Sequence, residues 1–137
     1  MRIIGLDVGE KRIGVAAADD RTQVAVPVTT IEADGDPVGA IANLIQEQKA
    51  DELVVGLPLS MSGAMGPQAH LTMDIVEALR ERTGVPVHTW DERLTTAQAM
   101  RSSGKRGRRG PEKGARDAIA AAILLQAFLD GRRSRTA

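Results

Sequence analysis

Three short β-rich runs, each closed by a polar turn, open this chain before any helical pattern begins. Arg2 to Asp7 and Arg12 to Ala18 are separated by Val-Gly-Glu-Lys, a spacing that suits a hairpin with Gly9 in the turn. Gln23 to Thr30 follows the turn Asp19-Asp20-Arg21. Pro27 directs this third run to an edge or a bulge, because proline cannot donate to a sheet ladder. The chain therefore begins with three sequential antiparallel strands.

Helical and strand patterns then alternate. Asp36 caps a helix with Pro37 at its first position, and Val38, Ile41, Ala42, Leu44 and Ile45 form its apolar face to about Gln48. Leu53 to Gly56 is a continuous apolar run, as expected of a strand buried on both faces. Leu57 to Gly66 is a Gly/Ser/Pro loop, and Pro67 opens a second helix whose apolar set is Leu71, Ile75, Val76 and Leu79, ending at Gly84. Val87 to Trp90 is the fifth strand. Thr95 or Thr96 caps a short helix through Met100, residues 102–110 form a Gly-rich basic loop expected to be mobile, and Pro111 to Leu129 is the last helix, closed by Gly131. Residues 132–137 are a basic tail. The order β-β-β-α-β-α-β-(short α)-α predicts an α/β fold: a five-stranded mixed sheet with helices on both faces.

At 137 residues the chain makes one domain, residues 1–137. Its only aromatic residues are Trp90 and Phe128, so the core is aliphatic and aromatic base-stacking platforms are nearly excluded, with Trp90 able to stack on one base at most. With zero cysteines, disulfides, thiolate zinc sites, iron-sulfur clusters and thiol nucleophiles are excluded, which is compatible with a cytoplasmic location. The uncharged run from Leu53 to Met73 is broken by Pro58, Pro67 and three glycines, so no membrane span is expected. The net charge of zero conceals an asymmetry: of 18 basic and 18 acidic residues, 8 and 15 fall in residues 1–100, leaving 10 and 3 in residues 101–137. A basic C-terminal third on an acidic body points to an anionic partner held on one face.

Asp7 ends an apolar strand, where an uncompensated charge costs several kcal/mol. Asp91 and Glu92 follow strand five, and the period of two points one of them to each side of the sheet. Asp117 lies beside the buried stripe of the last helix, with Ala121, Leu124, Leu125 and Phe128 at the following three-to-four spacings. If these elements converge, three carboxylates share a site that repels itself unless it is protonated or binds a metal. Oxygen-only ligands suit Mg²⁺ or Mn²⁺, and two such ions support phosphodiester hydrolysis. An alternative leaves the acids structural, with Asp7 capping a turn, Asp91 capping a helix entry, and Asp117 paired with Arg116 or Arg93.

Four segments carry a resemblance: GLDVGEKRIGVA within Ile4 to Ala16, VVGLPLSMSG at Val54 to Gly63, DERLTT at Asp91 to Thr96, and KGARDAIAAAILLQ at Lys113 to Gln126. Together they closely resemble the YqgF family, also called RuvX, whose members carry the names Holliday junction resolvase and pre-16S rRNA nuclease. The resemblance implies the RNase H-like fold, with Asp7 and Asp117 as metal ligands, Glu92 as the favoured third ligand and Asp91 in reserve. It also implies a nuclease that uses Mg²⁺ or Mn²⁺, two ions rather than one, in processing the 5′ end of pre-16S rRNA. Where resolvases of the RuvC type place a glutamate on strand four, this chain has Gly56, which implies a differently built metal site.

Lys105, Arg106, Arg108 and Arg109 precede Asp117 and suit a clamp on a phosphate backbone, with a solvated charge run as the commoner fate of such sequences. Lys11, Arg12 and Arg93 are further candidate phosphate contacts, or ion-pair partners. Ser60 and Ser62 offer hydroxyls to a phosphate in a loop that also reads as an ordinary connection. His70 and His88 are too few for zinc without cysteines. The expected partners are structured RNA or branched DNA, bound by a monomer or a homodimer. Competing functions are a junction resolvase in DNA recombination, a catalytically silent nucleic-acid-binding module, and a phosphotransferase of the actin and sugar-kinase type, which one domain leaves half built.

Overall fold

The computed structural model describes residues 1–94 and 112–136, with side chains at 112–115 and 134–136 left aside. Its elements are β1 (Arg2–Val8), β2 (Arg12–Asp19), β3 (Val26–Glu32), α1 (Pro37–Gln48), β4 (Glu52–Leu57), α2 (Pro67–Arg82), β5 (Val87–Asp91), a 3₁₀ turn (Glu92–Leu94) and α3 (Glu112–Thr136). The strands form one sheet in the order β3-β2-β1-β4-β5. β1, β2 and β3 pair antiparallel, while β4 lies parallel to β1 and β5 parallel to β4. This is the mixed five-stranded sheet expected from the element order. β3 sits at its edge, with an irregular register opposite Val15 and Ala16 beside Pro27.

Strand alternation divides the core in two. Ile4, Leu6 and Val8 of β1 face Ile41, Leu44 and Ile45 of α1 and Ile75, Val76 and Leu79 of α2. Ile3 faces the other side, with Ala16, Val54 and the α3 residues Ala121, Leu124, Leu125 and Phe128. On that side α3 lies very close to the sheet, because the strands beneath it carry glycine. A Cβ at Gly5 would stand 2.8 Å from Leu125 Cβ, one at Gly56 2.9 Å from a Leu124 methyl, and one at Gly14 would overlap the main-chain carbonyl of Asp117. Three neighbouring strands thus form a groove that only glycine can line.

α1 begins as its sequence dictates: the Asp36 carboxylate accepts from the Gly39 amide at 3.0 Å, with Pro37 next in the chain. α2 turns a different face inward from the one its leucines suggest. Leu71 is half-exposed, and the buried set is Ala69, Thr72, Ile75, Val76 and Leu79. Thr72 tolerates burial because its hydroxyl donates to the Gln68 carbonyl at 2.9 Å.

α3 also departs from expectation by running past Gly131 to Thr136, so most of the basic tail is helix. Glycine inside a helix costs about 1 kcal/mol relative to alanine, and tertiary contacts offset it here. A Cβ at Gly131 would stand 3.2 Å from the Trp90 ring, so the missing side chain lets the indole pack against the helix. Beyond it Arg132 makes two bonds to the buried Glu52, at 2.9 and 3.2 Å, and stacks over Phe128 at 4.8 Å. His88 Nε2 is 2.7 Å from the same carboxylate. Burial pushes the Glu52 carboxyl up, but the bonds from Arg132 and His88 outweigh it and hold the group below its usual 4.5.

Two outcomes follow from this packing. Gly14→Ala forces α3 off the sheet and should cost about 3 kcal/mol, seen as a lower urea midpoint. Because the folded-state pKa of Glu52 is depressed, its stabilisation is complete above 4.5 and is lost as pH falls through the lower folded value. Glu52→Gln should therefore destabilise by about 1–3 kcal/mol at neutral pH, and by progressively less in acid unfolding titrations.

Candidate active site

The ends of β1, β4 and β5 bring the acidic residues to one end of the sheet. Asp7 pairs with Gly14 across the β1–β2 ladder. It follows Ile3 and Gly5 on the side that faces α3, and it is 1% exposed. The α3 backbone rests on Gly14, so the close approach that needs glycine there also sets Asp117 beside the strand that carries Asp7. The same contact that packs the helix therefore places an acid.

Glu92 reaches that face from the other side. It starts the 3₁₀ turn directly after β5 and is fully buried, at 0% exposure. A Cβ at Gly56 would stand 3.0 Å from both Cγ and Oε2 of Glu92, so this carboxylate lies over the bare backbone of β4. Gly56 thereby gains a reason that sequence alone did not supply: it leaves room for an acid delivered from the next strand. Asp7, Glu92 and Asp117 thus share the α3 side of the sheet.

Asp91 is spent elsewhere. Its carboxylate accepts from the Arg93 amide and Nε at 3.0 Å and from Nη2 at 2.6 Å. The bonds from Arg93 hold the Asp91 carboxyl below its usual range, and the same pair pushes the guanidinium up. Arg93 Nη1 donates to the Met61 carbonyl at 3.1 Å, tying the β4–α2 loop to the end of β5. Within that loop the Ser60 and Ser62 hydroxyls are 2.9 Å apart, the Gly63 amide bonds the Ser60 carbonyl, and the Ala64 amide bonds the Ser60 hydroxyl. The two serines brace the loop, and Arg93 braces it from outside.

Asp117 accepts from Arg12 Nε at 2.8 Å, which makes Arg12 its partner in place of the Arg116 or Arg93 weighed from sequence. Lys11 lies on the turn before β2, where its carbonyl accepts from the Ala33 amide. Lys105, Arg106, Arg108 and Arg109 lie outside the described residues. Sequence reasoning missed Glu52, whose burial depends on Arg132 and His88 arriving from other elements. The acids on the α3 side of this site offer carboxylate oxygens, a donor type that suits a hard divalent cation such as Mg²⁺ or Mn²⁺, and Arg12 stands beside them as the counter-ion of Asp117. Among the described residues no three His, Cys, Asp or Glu side chains stand close enough together to hold a metal ion.

Residues 1–131 match the family described as "RuvX: Holliday junction resolvase". The chain belongs to the RuvX family. A relative from Caldanaerobacter subterraneus subsp. tengcongensis, named "Putative pre-16S rRNA nuclease", is 42% identical over 98% of this chain and 99% of its own length. One of the same name from Roseiflexus is 44% identical over 96% of both chains. Among solved structures, T. thermophilus RuvC in complex with Holliday junction substrate superposes with a TM-score of 0.59 at 15% identity, over 98% of this chain and 96% of that one. The fowlpox virus Holliday junction resolvase does so with a TM-score of 0.57 at 10% identity, covering 96% and 99%. These likenesses establish for this RuvX member the RNase H-like fold of the RuvC type. No helix among the described residues is long and apolar enough to cross a membrane.

Arg93→Ala should release the β4–α2 loop without unfolding the sheet. Hydrogen exchange at the Gly63 and Ala64 amides is expected to accelerate by about tenfold or more, with core amides unchanged.

Proposed function

We propose that this chain is a divalent-metal-dependent nuclease that hydrolyses phosphodiester bonds in structured RNA, acting on the 5′ end of pre-16S rRNA. The observation that carries this reading is that Asp7, Glu92 and Asp117 lie on one side of the sheet, the side that α3 covers, at the ends of β1 and β5 and on α3. Membership of the RuvX family, with relatives bearing the rRNA nuclease name, supports the chemistry and favours RNA as substrate.

Asp7, Glu92 and Asp117 would hold the metal. When bound, a pair of Mg²⁺ or Mn²⁺ ions supplies an activated water and charge stabilisation at the leaving oxygen. Asp7 contributes a carboxylate fixed by the most buried strand, so its position costs no reorganisation when substrate arrives. Glu92 is fixed by its seat over Gly56. Asp91 serves the site indirectly, by orienting Arg93 and through it the β4–α2 loop. Lys11 and Arg12 flank the site and are suited to backbone phosphates, as are the Ser60 and Ser62 hydroxyls once they exchange their mutual bond for a phosphate oxygen. Lys105, Arg106, Arg108 and Arg109, outside the described residues, are further candidates for backbone phosphates by their charge and their place in the sequence before α3.

A second reading, resolution of DNA four-way junctions, is favoured by the description of the family itself. Matched RNA and DNA substrates separate the two. Wild-type protein should cut a pre-16S 5′ leader in Mn²⁺ and not in EDTA, with a four-way DNA junction cut more slowly. Asp7→Asn should lower the rate by about a hundredfold or more while RNA affinity at fixed salt stays within about threefold. Preferential cutting of the junction would favour the resolvase reading. Salt-dependent RNA binding with no cutting by either protein would leave a binding module.

A further inference from the structure

Arg12 and Asp117 are joined across 105 residues of chain by a single bond, from Nε to Oδ2 at 2.8 Å. Neither group is fully withdrawn from water, with side chains 34% and 18% exposed. Among the described residues Nε is the one donor of Arg12 so engaged, and the Nη groups make no bond there. A guanidinium normally grips a carboxylate through two parallel bonds, and a one-point contact is the weaker and more exchangeable form. The backbone of Asp117, in contrast, packs directly against Gly14. Its carboxylate can therefore change partner by turning about its side-chain bonds, with α3 staying where it is.

The charges around this pair favour such a change. Asp7 and Glu92, both buried, lie on the same side of the sheet as Asp117. Arg12 contributes one positive charge to that face at its rim. The bond to Arg12 Nε occupies Oδ2 of Asp117, so a cation that takes this carboxylate must displace the guanidinium. We propose that Arg12 couples metal binding to substrate binding: its guanidinium is the counter-ion of Asp117, a divalent cation takes over that carboxylate, and the released guanidinium then binds a phosphate of the substrate strand. The inference rests on Asp117 being a metal ligand, as read above, and goes beyond it by making Arg12 a competitor of the metal and a positioning group for the strand. A coupling of this kind is reciprocal, so metal strengthens strand binding and strand strengthens metal binding by the same factor.

A purely structural Arg12 predicts the opposite sign. If it merely oriented Asp117 for a metal, removing it would weaken metal affinity, as loss of an outer-shell partner does. Calorimetric titration of Mn²⁺ alone into wild type, Arg12→Gln and Asp7→Asn distinguishes the two. Arg12→Gln should bind Mn²⁺ about two- to fivefold more tightly than wild type, the scale set by a partly exposed ion pair. In fluorescence anisotropy, Mn²⁺ should strengthen binding of a labelled phosphorothioate RNA hairpin to wild type by a larger factor than its binding to Arg12→Gln, and equal factors overturn the coupling. Unaltered or weaker Mn²⁺ binding by Arg12→Gln, with Asp7→Asn deficient, overturns the coupling and spares the carboxylate site. Undiminished Mn²⁺ binding by Asp7→Asn removes the site itself and the coupling with it. Should Arg12→Gln fail to fold, Arg12→Met, which also removes the charge while keeping an unbranched side chain, must shift Mn²⁺ affinity in the same direction; no shift, or the reverse, overturns the proposal.

Discussion

A helix can lie this close to a sheet only where the strands beneath it carry no side chains, and α3 does so over Gly14, Gly5 and Gly56 on three adjacent strands. Each glycine weakens its own strand locally, through chain entropy and lost packing. The return is a tight layer in which Leu124 and Leu125 are completely buried against bare backbone. The groove also fixes the axial position of α3, because the Asp117 carbonyl fits over Gly14 and no larger residue would admit it. Asp7 lies opposite Gly14, so the constraint that packs the helix also aligns an acid on it with an acid on the sheet.

Charge then acts at both ends of that helix. Near its start Arg12 meets Asp117 from β2, and near its end Arg132 meets the buried Glu52 from β4. The two pairs differ in solvent access and so in stiffness. Glu52 receives two bonds from Arg132 and one from His88, a network that resists exchange. Asp117 receives a single bond at the rim. The end of the helix near Glu52 is thus held by a network of bonds, and the end near Asp117 by one bond at the rim.

Much of the fold was legible because local signals agreed: the hairpin around Gly9, Asp36 before Pro37, and the apolar run of β4. The misreadings came where two answers satisfied one local rule. Leu71 and Thr72 both stand at helical spacing from Ile75, and the helix buries threonine, whose hydroxyl its own turn satisfies. Gly131 reads as a helix end, yet Trp90 packs into the space it leaves and Arg132 anchors the turn beyond. At the site, strand parity already placed Asp91 and Glu92 on opposite sides. Which of them joined Asp7 depended on Gly56, whose contact partner is thirty-odd residues away in sequence.

By itself the sequence determined the order of the described elements, the antiparallel start of the sheet and which acids stand at strand ends and on the last helix, since turn chemistry, capping and strand alternation act over a few residues. Its four motifs were also enough to indicate the family. Only the tertiary structure decided that Glu92 rests on Gly56, that Arg93 takes Asp91 for the β4–α2 loop, and that Arg12 holds Asp117. The reason is physical: each of these contacts joins groups from different elements, or chooses between partners of equal local merit. Which carboxylate meets which cation is settled by helix-to-sheet distance, and that distance exists only once the glycine groove has closed.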